Sequence, residues 1–565
     1  MSYSSDVRPM RKVWGEVSRQ EQTFSSLQKE EVRLTDLHKG LNDMMAKLLL
    51  AALALISSAC VKVGPDFVRP EVAVSQNWLE ADDTRIRNDA VEYRNWWRIF
   101  NDPVLDRLID TAYRQNLSLR AAGVRVLEAR AQLGIAGGQL YPQTQQAFGS
   151  LQYNRVSEYS TFSSFGSTLT TYAQDQIGIT ASWEIDFWGK FRRNIESADA
   201  LLIATVADYD AMLVSLTADV ASSYISIMTL QKRVDIARQN LEAQQENLKI
   251  VEARLQGGTT TQRDLEQAIT VLSNTEATIP VLETQLQQAK NALCVLLGLP
   301  PGNLTDILKD AKGIPVAPPQ IAVGIPADLL RRRPDIRSAE YQAIAQGAQI
   351  GVAKADLFPA FSLNGTFDFS AVNIGGARLS DMFRWSSREY ALGPAAQWNI
   401  FNYGRIANNV RLQDARFQEL LITYQNRVLA AQQEVENALV GFLRAQEAAR
   451  FLVRSATAGK DSLSLSALQY QGGTTDFTTV LTAEQALLST QDNLVATLGN
   501  VSANLVAVYR ALGGGWQIRE GMDLIPEEVK RTMANRTDWG DLLNQATYMA
   551  PTYRERGSAV RLPDW

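Results

Sequence analysis

The stretch Gln256-Gly257-Gly258-Thr259-Thr260 recurs letter for letter as Gln471-Gly472-Gly473-Thr474-Thr475, 215 positions on. Two identical polar turns could arise by chance, or they could mark one place in two copies of a unit. The flanks decide. Before each turn lies a run of 67 residues: 190–256 contains neither Gly nor Pro, and 405–471 contains only Gly441 and Gly459. Phe417, Leu421, Tyr424, Val428, Ala431, Val435, Ala438, Phe442 and Ala445 alternate steps of four and three, the seam of a coiled coil. A helix of that length is about 100 Å long. After each turn a return helix is predicted, 259–297 and 474–512, with Pro280 expected to kink the first.

The duplication extends outward from there. Residues 131–142 match 348–359 at six of twelve positions. Trp183, Ile185, Gly189, Lys190 and Asn194 find Trp398, Ile400, Gly404, Arg405 and Asn409 at the 215 offset, and Leu297-Gly298 finds Leu512-Gly513. A further helix precedes the strands of each copy, about 104–140 and 327–357. Two helices of 30 to 40 residues end to end nearly match one of 67, which predicts a wall of long helices alternating with stacked short pairs.

Between them each copy carries two candidate strands. Ile177, Ile179, Ala181, Trp183, Ile185 and Phe187 alternate with small or polar residues, as do Phe361, Leu363, Gly365, Phe367 and Phe369. Strands near 148–155 and 390–401 alternate less cleanly. The pattern fits a half-buried soluble sheet or a membrane barrel, and segments of 10 to 12 residues behind a secretory signal favour the barrel. Four strands cannot close one, and an open edge in lipid leaves backbone groups unpaired. Three chains give twelve strands, so the expectation is a homotrimer.

Composition excludes much. Lys+Arg 56 against Asp+Glu 61 gives a net charge of −5, with no basic excess for nucleic acid. One histidine, His38, and two cysteines, Cys60 and Cys294, cannot build a catalytic triad, a zinc cluster or a His-rich metal site. No GxxxxGK[ST] phosphate loop occurs. No enzyme activity and no metal or other cofactor are expected, beyond a covalent lipid. Met44-Met45-Ala46-Lys47, the apolar run 48–56 and Ser57-Ser58-Ala59 before Cys60 form a secretory signal. The cysteine after small residues resembles a bacterial lipoprotein signal, in which Cys60 is acylated. Ser57 stands where that pattern prefers Leu. Residues 1–43 are read as an over-long gene start or a cleaved extension.

Taken together, these residues resemble the outer-membrane efflux channels of the TolC/OprM type, and their NodT-like lipoprotein branch. The resemblance rests on five motifs in order. They are Val63-Gly64-Pro65-Asp66-Phe67-Val68-Arg69-Pro70, then Trp96-Trp97-Arg98-Ile99-Phe100 with Asp102-Pro103-Val104-Leu105. Leu329-Leu330-Arg331-Arg332-Arg333-Pro334-Asp335-Ile336-Arg337 follows, and Ala511-Leu512-Gly513-Gly514-Gly515-Trp516 ends the set on top of the duplication itself. It implies an α+β membrane protein of two tandem repeats, each helix-strand-strand-long helix-turn-helix. Three copies would form one 12-stranded β-barrel continued by a long periplasmic α-helical barrel. Such a channel is passive and works with a periplasmic adaptor and an inner-membrane RND pump, exporting drugs or other small toxic compounds from a lipid-anchored position in the outer membrane.

The expected organisation is signal and extension 1–59, lipid anchor and extended segment 60–101, repeat one 102–302, linker 303–325, repeat two 326–516 and an equatorial tail 517–565. By the same resemblance Gly257, Gly258, Thr259, Gly472, Gly473 and Thr474 form periplasmic tips that dock the adaptor. Arg263, Asp264, Asp476 and Thr479 are candidates for the pore gate. Some relatives carry gate aspartates where this chain has Thr479 and Thr482. Trp183 and Trp398 are interfacial anchors or junction packing, Cys294 a buried core residue, and Arg331–Arg333 a solvated connection. Two alternatives stay open: a type I secretion channel, and a periplasmic coiled-coil adaptor or scaffold lipoprotein.

Overall fold

The computed structural model describes residues 62–545 apart from 88, 90–91, 156, 158–170, 325, 327–331 and 375–377. Cys60 with its signal, the loop between the first two strands, the Leu329-Leu330-Arg331 part of the connection and residues 546–565 lie outside the described residues.

The two long helices form as the missing breakers require: α3 is Lys190–Gln256 and α6 is Arg405–Gln471, each 67 residues. Each is entered from a glycine in the left-handed region, Gly189 (φ 76) and Gly404 (φ 79), where a side chain would be strained. The return helices are α4, Gln262–Leu296, and α7, Phe477–Ala511. Pro280 does not interrupt α4: the helix continues through it, and Thr284 Oγ1 donates to the Pro280 carbonyl at 2.8 Å.

The helix expected over 104–140 is two helices, α1 (Pro103–Gln115) and α2 (Leu117–Gly138), divided at Asn116. The Asn116 side chain caps α2 by accepting from Leu119 N (2.9 Å), and its amide donates to the Leu296 carbonyl at the end of α4 (2.9 Å). In the second repeat the helix is α5, Pro334–Ala355. Arg333 occupies the equivalent place, donating to the Ala511 carbonyl at 2.9 Å and to Asp335 and Glu434. Arg333 is buried, so the solvated connection expected for Arg331–Arg333 is corrected at that residue. The arginine closes the exposed end of α7 as Asn116 closes α4.

The packing gives the predicted wall. α3 lies between α2 and α5 over its first half and between α4 and α7 over its second; α6 packs on α5 and then on α7. Long helices therefore alternate with stacked pairs, α2 on α4 and α5 on α7. The main core sits where these meet the segment 78–112 and Leu524, Ile525 and Met533, which follow the second repeat.

Four strands form one antiparallel sheet: β2 (Thr144–Arg155), β3 (Thr171–Ile185), β5 (Ala360–Val372) and β6 (Arg388–Gln397), in that order; β1 (Ile86–Arg87) and β4 (Ile321–Ala322) pair separately. The register places Leu151 opposite Asp175, Ile177 opposite Phe369, Ile179 opposite Phe367, and Phe367 opposite Tyr390. One face thus carries Leu151, Tyr153, Ile177, Ile179, Phe367, Phe369, Tyr390 and Leu392, with Asp175 and Arg388 at its loop end. The other carries Gln146, Gln174, Gln176, Thr180, Ser182, Asn364, Thr366 and Asp368. Ile179 and Leu392 remain exposed, so among the described residues most of the apolar face is uncovered; only at its loop end does Trp385 come against Phe369. Trp183 and Trp398 turn out to brace the junction. Their indole N–H groups donate to the Leu140 and Leu357 carbonyls at 3.1 and 3.0 Å, tying each strand end to the helix that precedes its copy's strands. Cys294 is buried, as expected.

Candidate functional site: the paired hairpin tips

Both Gln-Gly-Gly-Thr-Thr turns close their helices in the same way. Gly258 (φ 71) and Gly473 (φ 73) sit just past the helix ends. Gly258 N donates to Leu255 O and Thr259 N to Arg254 O; Gly473 N donates to Tyr470 O and Thr474 N to Gln469 O, at 2.9–3.0 Å. This is the paired closing pattern that satisfies the last helical carbonyls. The Thr259 and Thr474 hydroxyls add bonds to the same carbonyls of Arg254 and Gln469. A Cβ on Gly258 or Gly473 would meet nothing within 4 Å. The glycines serve the backbone angle, and Gly257, Gly258, Thr259, Gly472, Gly473 and Thr474 stay open to solvent or nearly so.

The return helices start with the same two residue types in opposite order. Thr261 caps α4, and Asp264 reaches back, its Oδ2 accepting from Thr261 N and from the Thr260 and Thr261 hydroxyls. Asp476 caps α7, accepting from Thr479 N at 3.0 Å and the Thr479 hydroxyl at 2.9 Å. Burial would raise the Asp264 carboxyl, but the bonds from Thr261, Thr260 and the backbone, with Arg263 beside it, hold it below its ordinary range. Of the candidate gate residues, Asp264 is therefore tucked under its own turn, while Arg263, Asp476 and Thr479 face solvent.

The structure brings the two tips together through residues that sequence reasoning missed. Arg254 donates to the Tyr470 and Gln471 carbonyls at 2.7 and 3.2 Å and lies over the Tyr470 ring at 4.3 Å. The Tyr470 hydroxyl reaches Thr260 at 3.4 Å. Beneath this clasp Val251, Ala268, Val271, Tyr470, Phe477, Val480 and Leu481 form a separate apolar cluster. A signal existed: at the shared offset Arg254 meets Gln469 and Leu255 meets Tyr470, so the residues before the identical turns differ. Among the described residues no His/Cys/Asp/Glu group is arranged to hold a metal.

The pattern of the outer membrane efflux protein family matches residues 108–299 and 325–514, one stretch for each repeat. Nodulation protein T of Rhizobium leguminosarum bv. viciae is 31% identical over 470 residues, covering 83% of this chain and 94% of its own length. The pyoverdine export outer membrane protein OpmQ of Pseudomonas aeruginosa is 32% identical over 483 residues, covering 85% and 99%. The solved structure of the outer-membrane channel OprN aligns with TM-score 0.75 at 31% identity, covering 81% of this chain and all of that one. OpmQ is by name an outer-membrane export protein and OprN an outer-membrane channel, and none of the three is named as an enzyme. The chain belongs to the outer membrane efflux protein family.

Proposed function

We propose that three copies of the chain form a passive export channel in the outer membrane. One observation carries this: among the described residues the four-stranded sheet has a face that is apolar except for Asp175 and Arg388 at its loop end, an opposite, mostly polar face and two unpaired edges, β2 and β6. Joining β6 of one copy to β2 of the next removes every edge and gives twelve strands, with the apolar face toward lipid and the polar face lining the lumen. Below it the helical wall, three times over, continues the tube to the tips. A coiled-coil adaptor has no use for a sheet with one bare apolar face. The type I secretion alternative is disfavoured by the lipoprotein-like signal before Cys60, which fits a lipid-anchored efflux channel. Drugs or other small toxic compounds would arrive through a periplasmic adaptor seated on the tips from an inner-membrane RND pump. The Arg254–Tyr470 clasp holds the tips closed, with Asp476, threefold, as the exposed acid of the constriction. Planar-bilayer conductance of the purified protein, with its size measured alongside, tests the reading. A conducting trimer is expected, and a monomer silent under all conditions would overturn it.

A further inference from the structure

The wall is not held uniformly. Arg233, Asn240, Asn247 and Arg254 stand seven residues apart on α3, so they line one seam. Every one of them meets a polar group. Arg233 pairs with Asp492 (2.6 and 2.9 Å), Asn240 bonds Gln491 (3.2 Å) and Asn247 bonds Glu484 (3.4 Å), all on α7; Arg254 bonds the Tyr470 carbonyl. Ala237, Gln244 and Val251 fill the core side of the seam. Gln244 is 4% exposed, yet neither its amide oxygen nor its amide nitrogen has a partner. A buried amide left this way costs the seam its full desolvation penalty. Glu484, 6% exposed, is the buried carboxyl of the same seam.

We propose that Asn247 and Glu484 form a proton-sensitive lock on the α3/α7 seam, closed while Glu484 is protonated and loosened when it ionises. A protonated carboxyl can both donate to and accept from the Asn247 amide beside it, whereas a carboxylate only accepts. Burial pushes the Glu484 carboxyl up to about 7, only partly offset by the Asn247 amide. Among the described residues no charged group compensates it. On α3, Glu246 and Lys249 pair with each other on the exposed face. On α6 Lys460 and Asp461, and on α4 Glu266 and Glu276, are exposed. On α7 itself Asp492 is held by Arg233. An acid whose value is raised in the packed state stabilises that state below its ordinary range and ceases to as pH climbs through the raised value. The seam is therefore tight in mildly acidic medium and loosens toward neutrality and above.

Hydrogen exchange on the full-length solubilised protein reads this directly. Peptides covering 230–256 and 477–495 are followed at pH 5.5 and 7.5, with times scaled for intrinsic exchange. The expected result is a loss of protection on the order of tenfold at pH 7.5, while peptides from 213–228 keep theirs. Glu484→Gln is expected to hold the pH 5.5 level at both values. Asn247→Leu, which removes the bond favouring the carboxylate, moves the transition to higher pH. Equal wild-type protection at both values, or a slope that survives in Glu484→Gln, overturns the lock. Open probability in a bilayer, measured over the same range, tests the separate link to the tip closure proposed above, on which the lock itself does not depend. A pH response in exchange with none in conductance would sink that closure and leave the lock standing.

Discussion

The two long helices have equal length, equivalent entries and identical exits, but they live in different surroundings. Of its 67 residues α3 buries 26, and α6 buries 12. The cause is position: α3 has neighbours on both sides, whereas α6 is the edge of the wall and leaves Leu412, Ile422, Leu429, Val440, Phe451 and Val453 exposed. The same helix used twice thus makes a core once and an unfinished surface once. The edge strands repeat the lesson, with Leu151 and Tyr153 on β2 and Tyr390 and Leu392 on β6 left bare. A repeat protein that closes on itself would not need this asymmetry. One that closes through copies requires it.

The largest effect should come from the covered helix. Arg519 forms a two-pronged ion pair with Asp210 of α3, both buried, with Nη2 at 2.7 Å from Oδ2. Arg519→Ala leaves the carboxylate uncompensated and should cost about 3–5 kcal/mol, read as a lower unfolding midpoint of the protomer. The 215 offset puts Gln425 in the place of Asp210 on α6, and Gln425→Ala should change the midpoint little. Next come the two faces of the sheet. Ile179→Arg should cost about 2–4 kcal/mol by placing a charge toward lipid and should deplete assembled protein. Thr180→Arg should assemble and alter conductance instead. On the edge helix, Phe451→Ala should leave protomer folding unchanged and weaken association, visible as a dissociation midpoint at higher protein concentration on dilution in detergent. Equal loss of protomer stability there would contradict the edge assignment.

Smaller effects distinguish the tips. Arg254→Ala should release the clasp at a cost of about 1–2 kcal/mol, raising exchange at 470–477 and open probability, with the reverse ruled out by geometry. Thr261→Ala and Asp476→Ala each remove a helix cap worth about 1 kcal/mol. The Asp264 carboxyl is depressed in the fold, so its stabilising bonds are in force above its ordinary value of 3.8 and fade as pH falls through the lowered one. Asp264→Asn should abolish that part of the acid sensitivity of the first tip and leave the second tip unaltered.

Much of this was legible in the sequence. The absence of Gly and Pro over 190–256 located α3 to the residue, and the four-three stepping of 417–445 located the seam of α6, because backbone breakers and hydrophobic period are local signals. The strand faces are readable from Ile177 to Phe187, less so in 388–397, where Gly393, Pro394 and three alanines blur the alternation. What sequence could not yield were pairings between distant segments. Asn116 falls inside the helix expected over 104–140, and nothing local announces the Leu296 carbonyl opposite it. Arg333 looked solvated because nothing local announces the Ala511 carbonyl and Glu434 that bury it. The gate candidates are polar residues just past the turns, and no local signal separates Asp264, which closes the capping box of α4, from the exposed Arg263, Asp476 and Thr479; the Arg254–Tyr470 clasp is hidden because its halves lie 216 residues apart.

The edge-to-edge closure of the sheet is the central claim, and cross-linking tests it most directly. On a Cys294→Ser background, Gln152→Cys on β2 is combined in turn with single cysteine substitutions along β6, 388–397, and the membranes are oxidised. Closure predicts that at least one pairing drives the chain into a covalent trimer that stops at three. A ladder running past three, or no cross-linked species with any pairing while the protein is membrane-assembled, would contradict it.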